Sequence, residues 1–156
     1  MNKKLIALIS ILIVLILIII VLFINIQNKS TFKKPKFDEF ATSNIPNELK
    51  YKESVVNISD GYSIYIDGIA RKEEDNLIIN FVSIESNNIW IKIRITDEGK
   101  NVIAESGLIK PGEYLKSIKL RKQVSENENI TYMIMGYEKD NYMSAGTVSL
   151  NTKVGV

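Results

Sequence analysis

Residues 89–96 read IWIKIRIT. Ile89, Ile91, Ile93 and Ile95 fall on one side of this run, and Trp90, Lys92, Arg94 and Thr96 on the other. Successive side chains of a β-strand point to opposite faces. A strict alternation of this length therefore predicts a strand with one face in a core. A slip of one residue would expose four isoleucines, which fixes the inward face.

Working outward, short apolar runs separated by turn residues continue in both directions, the pattern of an all-β domain. GYSIYIDGIA (61–70) is bounded by Asp60-Gly61 and by a charged turn from Arg71 to Asp75. NLIINFVSIE (76–85) follows, closed by Asn87-Asn88. Beyond the central strand, Asp97-Glu98-Gly99-Lys100 reads as a hairpin turn into NVIAES. In GLIKPGEYLKSIKL, Pro111-Gly112 suits a type II turn, because Pro presets φ at the second position and Gly supplies φ > 0 at the third. The run from Tyr114 to Leu120 is then a strand, and NITYMIMGYE (129–138) and SAGTVSLNTKV (144–154) supply two more. Seven strands, or eight if Val102 to Glu105 counts separately, in about 100 residues predict an all-β, immunoglobulin-like two-sheet sandwich over 58–156. Cysteine is absent, so the architecture is expected without the disulfide of true immunoglobulin domains.

The amino-terminal part has another character. Leu5 to Ile26 is LIALISILIVLILIIIVLFINI, with no charge between Lys4 and Lys29. About 20 apolar residues in a helix cross a bilayer core, and the run predicts a single transmembrane helix ahead of the β domain. A cleaved signal peptide has a shorter apolar region and a small-residue cleavage site, which NIQNKSTF does not offer. A core able to surround a helix apolar on every face is more than a chain of this size supplies. Residues 1–4 form a basic head, 5–26 the signal anchor and 27–57 a stalk, where Lys, Ser, Asn, two prolines, Phe32, Phe37 and Phe40 follow no period. The stalk lysines also suit anionic headgroups. Counted literally, Lys29, Lys33, Lys34 and Lys36 outnumber Lys3 and Lys4 and favour a cytoplasmic carboxyl terminus. The four-residue head before a long apolar run resembles ordinary export signals, and the domain is expected outside the membrane.

The formal charge of +2 hides an asymmetry. The six lysines before Phe37 flank the apolar run; setting them aside leaves 14 basic against 18 acidic residues, a formal −4 over 37–156. Nucleic acid is therefore not an expected partner, since a binder shows a basic stripe on its folded domain. Histidine and cysteine are both absent. That removes the commonest general base, the Ser-His and Cys-His arrangements, and thiolate or imidazole metal sites. Neither catalytic residues, nor a metal, nor a cofactor is expected.

The block RITDEGKNVIAESGLIKPGEYLKSIKL resembles a group of small single-pass membrane proteins of clostridia and related Gram-positive bacteria. Their shared segment runs D-x-G-x-V-I/L-x-x-S-G-L-I-x-P-G before an I-x-x-I-x-L strand. Here it falls on Asp97, Gly99, Val102 (displaced by one extra residue), Ser106, Gly107, Leu108, Ile109, Pro111 and Gly112. The resemblance covers 88–154 and implies an envelope location and a carboxyl-terminal β-sandwich, but no activity. Some members bear an RNA-methyltransferase label; this chain has neither a Gly-rich cofactor loop nor a catalytic Cys to support one.

Three features suggest sites. Asp97-x-Gly99-x-Asn101 is faintly like the start of a calcium loop, but the Glu expected at its twelfth position would fall at Leu108; a hairpin turn is the expected reading. Glu73, Glu74 and Asp75, with Glu126 and Glu128, offer paired carboxylates of the kind that hydrolyse glycosides, yet both clusters lie in polar turns and read as solvated loops. The aromatic and methionine content of the last third includes Tyr132, Tyr137, Tyr142, Met133, Met135 and Met143. Binding surfaces favour such residues, and so do sandwich cores. Trp90, on the polar side of its strand, either lies under the stalk or a loop, or marks a partner surface. Trp90, Tyr137 and Tyr142 are the candidate binding residues. The expected function is a membrane-anchored, non-catalytic binding module at the cell envelope, whose partners are the lipid bilayer and an envelope protein or cell-wall component. The alternative is an accessory subunit of a transport or conjugation assembly, and a carboxylate-based hydrolase is the remote third.

Overall fold

The computed structural model describes residues 9, 11–21, 33–50, 56–58 and 61–155. The chain divides into two units, Met1–Lys34 and Pro35–Val156. In the first, residues 11–21 form helix α1, made only of Ile, Leu and Val. At 1.5 Å per residue it is about 16 Å long, roughly half of a bilayer's hydrocarbon core. Among the described residues no helix is long and apolar enough to cross a membrane. The expected span is thus met only in its middle: residues 5–8, 10 and 22–26 lie outside those described.

The second unit is mostly β. After the short helix α2 (Asn47–Lys50) come β1 (Val56–Ile58), β2 (Tyr62–Tyr65), β3 (Ala70–Glu73), β4 (Asn76–Ser83), β5 (Ile89–Asp97), β6 (Val102–Ile109), β7 (Tyr114–Lys119), β8 (Asn129–Glu138) and β9 (Ser144–Gly155). They join in one sheet, in the order β1-β2-β4-β3-β9-β8-β5-β6, with β7 paired to β4. The two layers expected of a sandwich are therefore continuous. The link is the short β3, which lies antiparallel to β4 on one side and parallel to the end of β9 on the other, through Ala70↔Val154 and Arg71↔Gly155. A second tie, Ala104↔Leu120, joins β6 to the residue after β7. The sheet curls into a half-barrel around its own core.

β5 is the strand that its alternation predicts. Ile91, Ile93 and Ile95 are fully buried, and Ile89 packs at the margin of the core. They meet Ile64, Leu77, Ile79, Phe81, Ile103, Ile109, Tyr132 and Ile134 from the facing and flanking strands. Tyr132 is wholly enclosed, and its hydroxyl has no hydrogen-bond partner among the described residues. The charged stretch 71–75, expected as a turn, is strand as far as Glu73; Glu74, at φ 52°, begins the actual turn.

β4 is buried on both faces over most of its length. One face enters the main core, and on the other Val82 joins Tyr65, Tyr114 and Leu49 in a second cluster. Between Ile78 and Phe81 the pairing with β7 slips. There Asn80 takes φ 44°, a left-handed conformation that Asn tolerates better than most residues. Its amide donates to Asp67 at 2.7 Å and accepts from the Tyr114 hydroxyl at 2.6 Å, while the Tyr65 hydroxyl donates to the other Asp67 oxygen at 2.7 Å.

Truncating a buried Ile removes transfer energy and leaves a cavity, about 2 to 5 kcal/mol together. Ile93→Ala is expected to cost that much in urea denaturation. A loss below about 1 kcal/mol would show that this face is not the packed one.

Candidate functional site

Part of the stretch expected to be stalk is built into the domain. Residues 36–38 run parallel to β6: the Leu108 amide donates to the Lys36 carbonyl, and the Asp38 amide donates to the Leu108 carbonyl, each at 2.8 Å. The approach is close enough that a Cβ on Gly107 would stand 2.5 Å from the Asp38 nitrogen and 2.7 Å from the Phe37 carbonyl carbon. Only glycine fits between the two backbones. The Asp38 carboxylate then accepts from the Gly107 amide at 2.7 Å and from its own chain's Phe40 amide at 3.0 Å. Four residues on, Thr42 exchanges two backbone bonds with Tyr114, at 2.9 and 2.7 Å. Leu49 of α2 closes over Tyr65, Val82 and Tyr114. Residues 36–49 are thus a strap across the sheet; of the remaining expected stalk, 27–32, 51–55 and the side chains of 50 and 57 lie outside the described residues.

The strap brings Phe37 onto Trp90. Their rings meet edge-to-face, with centroids 5.0 Å apart and planes at 86°. Tyr142 also lies close, its ring centroid 5.0 Å from that of Trp90 with the planes at 45°. Such arrangements suit the ring quadrupoles. Tyr142 sits at φ 60° in the β8–β9 turn, where its amide donates to the Glu138 carbonyl. Tyr137 is the cross-strand partner of Trp90, and its hydroxyl reaches the Met135 sulfur at 3.9 Å. The three candidate binding residues therefore converge at one end of β5 and β8, and Trp90 is half-buried between the strap and a loop. Nothing in the residue pattern singles out Phe37 or Lys110, whose ammonium lies 4.9 Å from the Phe37 ring centre. Phe37 keeps 38 % of its surface exposed and Met143 64 %, so the cluster has an apolar rim open to solvent. Its chemistry is that of a platform for flat or apolar groups, with a cation beside it.

Further along the same outer face, Glu105 of β6 gathers three cations. Lys92 and Arg94 approach one carboxylate oxygen at 3.0 and 2.8 Å, and Arg121 the other at 2.7 Å. Lys92 and Arg94 are thus not simply solvated residues on the polar side of β5. Burial pushes the Glu105 carboxyl up, but the hydrogen bonds from Arg94, Lys92 and Arg121 outweigh it and hold the pKa at about 2, against an ordinary 4.5.

The Asp97 turn is a hairpin. Asp97 accepts from the Asn101 amide at 2.8 Å and from Lys122 at 3.2 Å, and Lys100 supplies the left-handed residue. Those bonds, led by the backbone N–H of Asn101, hold its carboxyl below its ordinary range. Among the described residues no group of three or more His, Cys, Asp or Glu side chains could hold a metal ion. Of the two acidic clusters, Asp75 accepts from Gln123, and Glu128 from the Ser125 amide, so both brace turns. No protein-family model matches the chain, and no curated protein matches its sequence.

Two outcomes follow from this geometry. A carboxyl whose pKa is lowered on folding stabilises the fold above its unfolded pKa and ceases to as pH falls toward the folded one. Stability should therefore decline between about pH 5 and pH 2, and Glu105→Gln should remove that part of the decline. At neutral pH the variant should be about 2 kcal/mol less stable, a figure discounted because Arg94 and Arg121 are partly exposed. Parallel pH–stability curves for wild type and variant would refute the network. Second, Gly107→Ala should push the strap off β6 and cost about 1 to 3 kcal/mol. Emission from Trp90, the single tryptophan, should shift to the red; unchanged emission and stability would show that the strap does not depend on this approach.

Proposed function

We propose that the chain is a single-pass membrane protein, anchored through residues 5–26, whose β domain stands outside the membrane as a non-catalytic binding module of the cell envelope. On this reading the two halves of the curled sheet serve as the layers of an immunoglobulin-like sandwich. The binding site is the cluster of Trp90, Phe37, Tyr137 and Tyr142, and a cell-wall component or an envelope protein is what it takes. The observation that carries the reading is Trp90 itself, placed between Phe37 and Tyr142 at 5.0 Å from each with an exposed apolar rim. Aromatic residues held rigid at a surface contribute contact area at low entropic cost. The anchor is supported by the uncharged run between Lys4 and Lys29, which a helix continued at both ends of α1 would use in full.

The reading has one test in two arms. Protease added to intact protoplasts should remove the β domain and leave a membrane-bound stub; protection until lysis would mean a cytoplasmic domain. Detergent-solubilised full-length protein should sediment with purified cell walls, and Trp90→Ala should weaken this about tenfold or more, as loss of a binding hot spot does. If the wild type stays in solution and its tryptophan emission is unmoved by wall fragments, the wall is not the partner.

A further inference from the structure

β9, Ser144–Gly155, is the longest strand among the described residues, yet for most of its length it has a neighbour on one side only. β8 pairs with it from Ser144 to Lys153. On the other side β3 reaches only Val154 and Gly155. The Thr152 hydroxyl donates to the Gly68 carbonyl, so the loop before β3 covers the edge as far back as Thr152. Toward the start of the strand, the pairing with β8 slips between Met135 and Tyr137, and Gly146 takes φ 105°. Between these limits, residues 147–151 have no backbone partner beyond β8 among the described residues.

Burial shows the same gap. Val154, beside β3, is fully buried, as are Ile91, Ile93, Ile95 and Ile134 of strands flanked on both sides. Val148 and Leu150 pack against the same core but stay partly exposed. The amide and carbonyl of Val154 bond Glu128 and Asn127, on the β8 side. Along a strand that direction alternates, so Thr147, Ser149 and Asn151 aim their backbone groups at the open edge. Such an edge invites another strand, and proteins blunt it with Lys, Pro or inward charges. Residues 144–152 contain no charge and no proline.

The open run itself selects the occupant. Thr147-Val148-Ser149-Leu150-Asn151 has the same chemistry read from either end: small polar, aliphatic, serine, aliphatic, small polar. Antiparallel pairing with itself sets Ser149 opposite Ser149, Thr147 opposite Asn151 and Val148 opposite Leu150. The aliphatic pair covers the exposed margin of the core, the polar pair meets on the outer face, and no charge meets a like charge. A twofold contact has this form, residue i touching j while j touches i. We propose that β9 pairs with β9 of a second copy of this chain, antiparallel over 147–151, with the twofold axis at Ser149. The strands β6-β5-β8-β9 of the two copies then make one continuous sheet. A dimer carries the Trp90 cluster twice, although the pairing does not depend on what that cluster binds.

The chain has no cysteine, so single cysteines in the full-length, detergent-solubilised protein report the register. Residues directly opposite in an antiparallel pair have Cα atoms about 4.5 to 5.5 Å apart, within reach of a disulfide. Under mild oxidation Ser149→Cys should form a covalent dimer with itself. Thr147→Cys and Asn151→Cys should each do so poorly, and should cross-link about fivefold better when mixed. In sedimentation the wild type should reach a dimer, and Ser149→Pro should raise its dissociation constant about tenfold or more. That change removes an outward N–H and leaves the bonds to β8 in place. Ser149→Lys, which sets two like charges at the axis, should do the same without constraining the backbone. A monomer at every concentration would overturn the proposal, and so would amides of 147, 149 and 151 protected from exchange in a monomer, which would mean that the chain covers its own edge. A dimer indifferent to both substitutions at Ser149, or equal cross-linking at all three positions, would place the contact elsewhere and overturn it too.

Discussion

The close approach of residues 36–38 to β6 at Gly107 is the contact on which the functional architecture turns. β6 ends the hydrogen-bonded order of the sheet, and an end strand exposes a row of unpaired amides and carbonyls that invites another chain. Two segments from elsewhere cover that row. Residues 36–38 bond Leu108, and near the other end the Arg121 amide donates to the Ile103 carbonyl at 2.7 Å, beside the Ala104↔Leu120 bridge. The first of these also sets Phe37 on Trp90 and turns Phe40 outward, because Phe37 and Phe40 lie on either side of the Asp38 turn. Edge protection, the aromatic platform and the exposed ring all follow from one backbone contact that a side chain larger than hydrogen at position 107 would prevent.

Within the sheet, two of the irregularities are accompanied by polar side chains that bond across them. The pairing of β5 with β6 slips between Lys92 and Arg94, and there the Ile93 amide donates to the Ser106 hydroxyl at 2.8 Å, which in turn donates a hydrogen bond to the Gly107 carbonyl at 2.7 Å. At the slip between β4 and β7, Asn80 plays the same part for Asp67 and Tyr114. Leaving a buried amide unpaired costs far more than a made hydrogen bond returns, and at the β5–β6 slip Ser106 supplies the partner that the Ile93 amide needs. The Tyr132 hydroxyl, with no partner among the described residues, stands apart from this pattern.

What was legible in the sequence was whatever depends on local period. Ile91, Ile93 and Ile95 announced the core by alternation, and Asp97 to Asn101 announced a hairpin by turn chemistry. What was not legible depends on which strands meet. A period of two states the buried face of a strand but not its partners; the charged stretch of β3 shows no such period, and its parallel pairing with β9 makes one curled sheet of two expected layers. The strap was hidden for a different reason: it is held mainly by backbone bonds at Lys36, Asp38 and Thr42, which place almost no demand on side-chain pattern. Gly107 was the one trace of it, a glycine inside a strand, which often marks a second backbone passing close. For the candidate site, Trp90, Tyr137 and Tyr142 could be chosen singly, as aromatics in or beside strands, while their convergence with Phe37 needed the register of β5 on β8 and the course of the strap.

The distribution of charge gives the outer surface a division of labour that the net value conceals. Glu105 and Asp97 between them engage Lys92, Arg94, Arg121 and Lys122, and so neutralise most of the basic groups along β5, β6 and the connection after β7. These exposed and half-exposed pairs add little stability individually, but sharing one half-buried carboxylate fixes three separate segments against one another.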